Sequence, residues 1–138
     1  MAGNKSTYLN QMFLDLIFKS VTNAVLASAV GSATTVTVAL HTADPGIGGT
    51  QSTSETAYTG YARLTKNRST DWTRTGSSLS PAANLDFGQC TASPGAAITY
   101  FSVGDGTNIW YSGPVTANIT MAVGVIPRLT TATAVTEA

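Results

Sequence analysis

Chemistry in this chain would have to run through very few side chains. His41 is the single histidine and Cys90 the single cysteine. A serine hydrolase would need His41 as its base and a nucleophile raised on a tight turn, and no Gly-x-Ser-x-Gly elbow exists. His41 instead ends an apolar run just before Thr42-Ala43-Asp44-Pro45-Gly46, where an imidazole is expected to cap backbone groups. Cys90 stands between Gln89 and Thr91 without a cationic neighbour in sequence, so a small buried or half-buried residue is expected rather than a reactive thiolate. The carboxylates Asp15, Asp44, Glu55, Asp71, Asp86, Asp105 and Glu137 are scattered singly, which is not the clustering a metal site needs. Gly46-Ile47-Gly48-Gly49 is glycine-rich, but neither the helix nor the lysine of a phosphate loop follows it. The sequence therefore predicts no catalytic, cofactor or metal site, and a protein that is not an enzyme.

The charge pattern excludes other classes. Seven basic and seven acidic residues balance to a net charge of zero. Nucleic-acid binding needs a clustered basic face. The nearest approach to one, Arg63, Lys66, Arg68 and Arg74, is interrupted by Asp71 and reads as solvated strand and loop charges. Charged residues make up only 10% of the chain, against roughly 25% in an ordinary soluble domain. Such a surface can be buried against a partner at little desolvation cost, which suits an assembly component. A single cysteine forbids an internal disulfide, so the fold tolerates a reducing compartment. No run reaches the ~18 uninterrupted apolar residues of a membrane span. Asp15 and Lys19 break the N-terminal apolar stretch, which is therefore not read as a signal peptide.

Few elements are needed to carry these residues. Ser6 and Thr7 are good N-cap residues, and Leu9, Met12, Phe13, Leu16 and Ile17 follow at i, i+3, i+4, i+7 and i+8. This predicts an amphipathic helix over about residues 6–20. Its five-residue stripe is the candidate interface, either with the rest of the domain or with a partner. Residues 24–33 are small and apolar, with a turn at Gly31-Ser32. The period then changes to two: Val36, Val38 and Leu40 alternate with Thr35, Thr37 and Ala39, as in a half-buried strand. Residues 47–59 exceed the usual loop length and are expected to form a surface excursion. Further strands are expected at 61–65, 71–74, 85–87, 98–103, 109–111, 115–121, 125–129 and 132–136, with Pro127 at an edge or bulge. On the strand 98–103, Ile98, Tyr100 and Ser102 share one face and Thr99, Phe101 and Val103 the other. One helix followed by many short strands predicts a mostly β single domain over residues 1–138, a jelly-roll-like sandwich or barrel spanning about residues 34–137.

The segment Ala39-Leu40-His41-Thr42-Ala43-Asp44-Pro45-Gly46 and the segment Tyr58-Thr59-Gly60-Tyr61-Ala62-Arg63, with a later aromatic hairpin ending in Tyr111-Ser112-Gly113, resemble a group of small structural proteins of tailed bacteriophages. The similarity covers nearly the whole chain. It is nearest to the capsid cement, or decoration, proteins, such as that of a Bordetella podophage. The resemblance implies a self-associating jelly roll, made in the host cytoplasm; the low charge, apolar helix and unprotected short strands predict a homodimer or otherwise a trimer. It also implies a place on the capsid exterior, clamping neighbouring major capsid protein subunits against packaged DNA. It brings no catalytic residues, cofactor, membrane or nucleic-acid partner, or small-molecule substrate. A tail-fibre or other tail or head position is the alternative within that class. Another is a carbohydrate- or receptor-binding module that would use Trp72, Trp110, Tyr58, Tyr61 and Tyr111 as a stacking platform, although burial in a core or interface is the expected place for such rings.

Overall fold

A computed structural model describes residues 4–18 and 34–136. The expected helix end near Ser20, the small-residue stretch 24–33 and Glu137 lie outside them. In chain order the elements are β1 (Asn4–Lys5), α1 (Thr7–Phe18), β2 (Thr35–His41), β3 (Leu64–Asn67), β4 (Trp72–Thr75), β5 (Ser78–Pro81), β6 (Leu85–Asp86), β7 (Ile98–Gly104), β8 (Ile109–Ile119), β9 (Arg128–Leu129) and β10 (Val135–Thr136). All described pairings are antiparallel. They build a five-stranded sheet in the order β1-β8-β7-β2-β3, a three-stranded sheet β10-β5-β4 and a two-stranded sheet β6-β9. The protein is mostly β and sandwich-like, with one short N-terminal helix among the described residues. The barrel alternative is not realised: among the described residues no sheet closes on itself.

The alternation in β2 decides where the core lies. Val38 pairs with Val103 and Leu40 with Phe101 in the antiparallel register of β2 and β7. With Val36 these side chains are buried against Leu85 of β6, Leu129 of β9 and Val135 of β10, so the two smaller sheets cover one face of the large one. On the other face of β2, Thr37, Ala39 and His41 lie beside Gly104, Ser102 and Tyr100. A register irregularity between Ile98 and Tyr100 interrupts the strict alternation expected along β7, and Ile98 and Phe101 are both in the core.

Several elements differ from the sequence-based reading for identifiable reasons. Ser6 does cap α1: its hydroxyl accepts from the Leu9 amide at 3.2 Å and its carbonyl from Asn10 at 3.1 Å. Before it, Asn4 and Lys5 add a short strand to β8, too polar and too short to read from pattern. β3 begins at Leu64 rather than Tyr61, because the chain turns at Gly60, with φ +103°, and the Tyr61 amide bonds to the Tyr58 carbonyl. The strands expected at 109–111 and 115–121 are one strand running through Pro114. Among the described residues β1 pairs only with Tyr111 and Ser112, so the missing N–H of Pro114 falls where β8 has no second described neighbour. Pro127 just precedes β9 and is buried, its carbonyl accepting from Phe87 at 2.9 Å.

Candidate functional site

The long loop before β3 is not the surface excursion its length suggests. Gln51, Thr56 and Tyr58 are buried, and the loop lies over the second face of β2. Three residues hold it there: His41, Gln51 and Ser102, each 0% exposed. The Gln51 amide donates to the Thr37 carbonyl at 3.0 Å and to Ser102 Oγ at 3.3 Å, while its Oε1 accepts from the Gly106 amide at 2.7 Å. His41 Nδ1 lies 2.8 Å from the Thr53 carbonyl and Nε2 2.8 Å from Ser102 Oγ. A carbonyl can only accept, so Nδ1 carries the proton and Nε2 accepts from the Ser102 hydroxyl. Donors and acceptors then match along the whole chain of bonds. Burial holds the His41 pKa below its ordinary value, against the opposing pull of the Thr53 carbonyl and the Glu55 charge. The neutral imidazole that the bonds require is therefore also the one its environment favours.

A second cluster continues outward from the first. Arg63 Nε and Nη2 donate to the two Glu55 oxygens at 2.6 and 2.7 Å, Nη2 also reaches Ser52 Oγ, and Nη1 donates to the Gly106 carbonyl. Tyr61 donates to Glu55 at 2.8 Å and accepts from the Leu40 amide at 3.1 Å. Partial burial works to raise the Glu55 pKa, but the bonds from Arg63 and Tyr61 outweigh it and the carboxyl is held below its ordinary value. Arg63, expected to be a solvated charge, is thus committed to an ion pair. Tyr58 donates to the Gly88 carbonyl at 2.7 Å, and burial pushes its phenol up to about 12. A Cβ at Gly88 would run into the Gly60 carbonyl, so the two glycines let the backbones cross in contact. The two sequence segments that carry the phage resemblance meet in this clamp.

The Ser102–His41 pair has the spacing of a nucleophile and its base, but not the setting. Neither side chain is exposed, the outer imidazole nitrogen bonds a carbonyl instead of a carboxylate, and the serine oxygen already receives the Gln51 amide. Cys90 is buried and free, as expected, and its Sγ donates to the Ala92 carbonyl at 3.0 Å. Among the described residues no three His, Cys, Asp or Glu side chains gather as metal ligands, and no helix is long and apolar enough to cross a membrane.

On the first face the large and the three-stranded sheets diverge from one another. Where Val38 and Phe101 meet Leu85 and Leu129, the residual void is only about 10 Å³. Toward Val36, Trp110 and Tyr111 the separation opens into a groove of about 520 Å³, walled on its other side by Trp72, Arg74, Leu79 and Val135. The five aromatic residues of the stacking-platform alternative are therefore divided. Tyr61 packs edge-on to Tyr58 and parallel to Phe87, whereas Trp72, Trp110 and Tyr111 come together in the groove. Of the candidate interface stripe, Leu9 is 4% exposed and packs in this chain's own core. The side chains of Met12, Phe13, Leu16 and Ile17 lie outside the described ones. Missing from the sequence-based reading were Gln51, Glu55 and Ser102, and the only available signal was the polar side of the β2 alternation.

The family model described as podophage GP4 fiber I protein gp80 matches residues 4–136. The chain belongs to that family. It is accordingly a bacteriophage structural protein, a component of the virion. No curated protein matches the chain.

Proposed function

We propose that this protein is a non-enzymatic building block of the virion exterior, serving as a subunit of a podophage fibre. The observation that carries the reading is the clamp. The groups with chemical potential, His41, Ser102, Glu55 and Arg63, are spent on fastening a loop to a sheet, as suits a part that must stay rigid rather than turn over a substrate. The family description favours a fibre position over the capsid-cement position that the motifs suggest, in which the chain would bridge neighbouring major capsid protein subunits. Both positions call for self-association, as a homodimer or otherwise a trimer. The low charge and the exposed Leu14, Ile47, Val123 and Ile126 supply apolar surface for it. Cryo-electron microscopy of the source particle tests the position. Density for a few projecting copies at the tail or on fibres is expected, whereas hundreds of copies on the shell would move the protein to the cement role. Light scattering at micromolar concentration tests the assembly and is expected to give more than one chain per particle.

A further inference from the structure

We propose that the groove between the β4–β5 hairpin and the five-stranded sheet binds an acidic saccharide, with Trp72, Trp110 and Tyr111 as its ring-stacking wall and Arg74 as the partner of the sugar's carboxylate. The site would serve a fibre or a shell subunit alike. Its volume, about 520 Å³, falls in the roughly 300–1,000 Å³ range of small-ligand sites. Its charge is one-sided. The chain balances seven basic residues with seven acidic ones, yet among the described residues the groove is lined by two guanidinium groups, Arg68 and Arg74, and no carboxylate. Arg74 is exposed, and among the described residues no acid pairs with it. A neighbouring anion is therefore attracted without first having to displace an internal partner.

A second observation concerns hydrogen bonding. Three buried side-chain polar atoms lack a partner among the described residues: Thr56 Oγ1 and the indole nitrogens of Trp72 and Trp110. Both indoles belong to groove residues, and buried donors normally find an acceptor. Neither N–H faces solvent and Trp110 is itself buried, so Trp72 and Tyr111 are the half-buried rings of the wall, and an occupant reaches an indole nitrogen only by drawing its ring outward. A saccharide ring combines a flat C–H face for the aromatic wall, hydroxyls for the indoles and for Ser77 at the rim, and, in acidic sugars, a carboxylate for Arg74. A single-stranded nucleic acid would also stack, but it needs a basic track along its backbone, and two guanidinium groups in a net-neutral chain do not form one. An apolar peptide would leave the Arg74 guanidinium without a role.

An array of uronic-acid and sialic-acid oligosaccharides beside neutral ones, probed with the full chain, tests the site. Retention on acidic glycans is expected, weakened at least tenfold by Arg74→Gln, a surface change that leaves the melting temperature unaltered. Trp72→Leu is expected to abolish retention in protein that still melts cooperatively. No binding to any acidic glycan overturns the proposal, as does binding to neutral glycans alone or binding that survives both substitutions. Tighter binding of oligothymidylate than of any glycan, lost in the same two variants, would assign the groove to nucleic acid and overturn it as well.

Discussion

The two faces of β2 handle polarity in opposite ways. On one, His41, Gln51 and Ser102 are fully buried and every donor among them meets an acceptor. On the other, the sheets part and two indole N–H groups beside the opening have none. Polar groups completed from within rigidify and specify one arrangement. Polar groups left incomplete beside open volume are a cost to the isolated chain and a resource for contact with something else. The same sheet thus separates the part of the molecule that maintains its shape from the part available to a ligand.

The largest expected effect breaks the completed side. Gln51→Leu removes three hydrogen bonds at once and strands the Gly106 amide, the Thr37 carbonyl and one lone pair of Ser102. A loss of about 3 kcal/mol is expected in urea unfolding, from the cost of buried groups left unmet. Arg63→Met is expected to cost less, about 2 kcal/mol by the same measurement. It too leaves a carboxylate without its partner, but Glu55 and Arg63 are each partly exposed and water offsets part of the loss.

The completed side is also sensitive to pH. His41 titrates lower in the folded chain than its unfolded value of 6.5, so the unfolded state takes up protons first on acidification. The stabilisation from neutral His41 is full above pH 6.5, declines as the pH falls below it, and is gone once the pH passes the depressed folded value. Glu55 is also depressed, from 4.5, and its contribution is lost only at lower pH still. Thermal melts between pH 7.5 and 5 are expected to fall in wild type and to flatten in His41→Gln. The smallest effect belongs to the open side. Trp72→Phe keeps an aromatic wall and discards an N–H that bonds to nothing, so stability is expected to stay within about 1 kcal/mol of wild type in the same unfolding assay.

What was legible in the sequence follows from how each element is stabilised. β2 and β7 were readable because one face of each is packed against another sheet, which forces strict alternation at Val36, Val38, Leu40, Phe101 and Val103. The Ser6 cap was readable because capping chemistry is local. β5 was hidden: Ser78, Ser80 and Pro81 look like punctuation, and they form a strand only because Trp72-Thr73-Arg74-Thr75 folds back onto them. The clamp was half visible. A backbone-capping His41 could be expected from its place at a strand end, but Gln51 and Ser102 come from 10 and 61 residues away and carry no mark of their partnership. The aromatic residues could be counted but not divided, since only the tertiary fold separates Tyr58 and Tyr61 from Trp72, Trp110 and Tyr111.

The ladder that joins Lys5 to Tyr111 also has a kinetic meaning. Apart from the β7–β8 and β4–β5 hairpins, each strand pairs with one far away in the chain, and β10 reaches back to β5 across more than fifty residues. Closing such long loops must precede the contacts that repay it, so folding times of about milliseconds to seconds are expected instead of the microseconds of helical bundles. The β7–β8 hairpin, with its turn tied by Asp105 to the amides of Thr107 and Asn108, is the natural first structure. β1 and β10 join only after the sheets they extend exist, which makes the groove, with Val135 in its wall, one of the last features of the molecule to form.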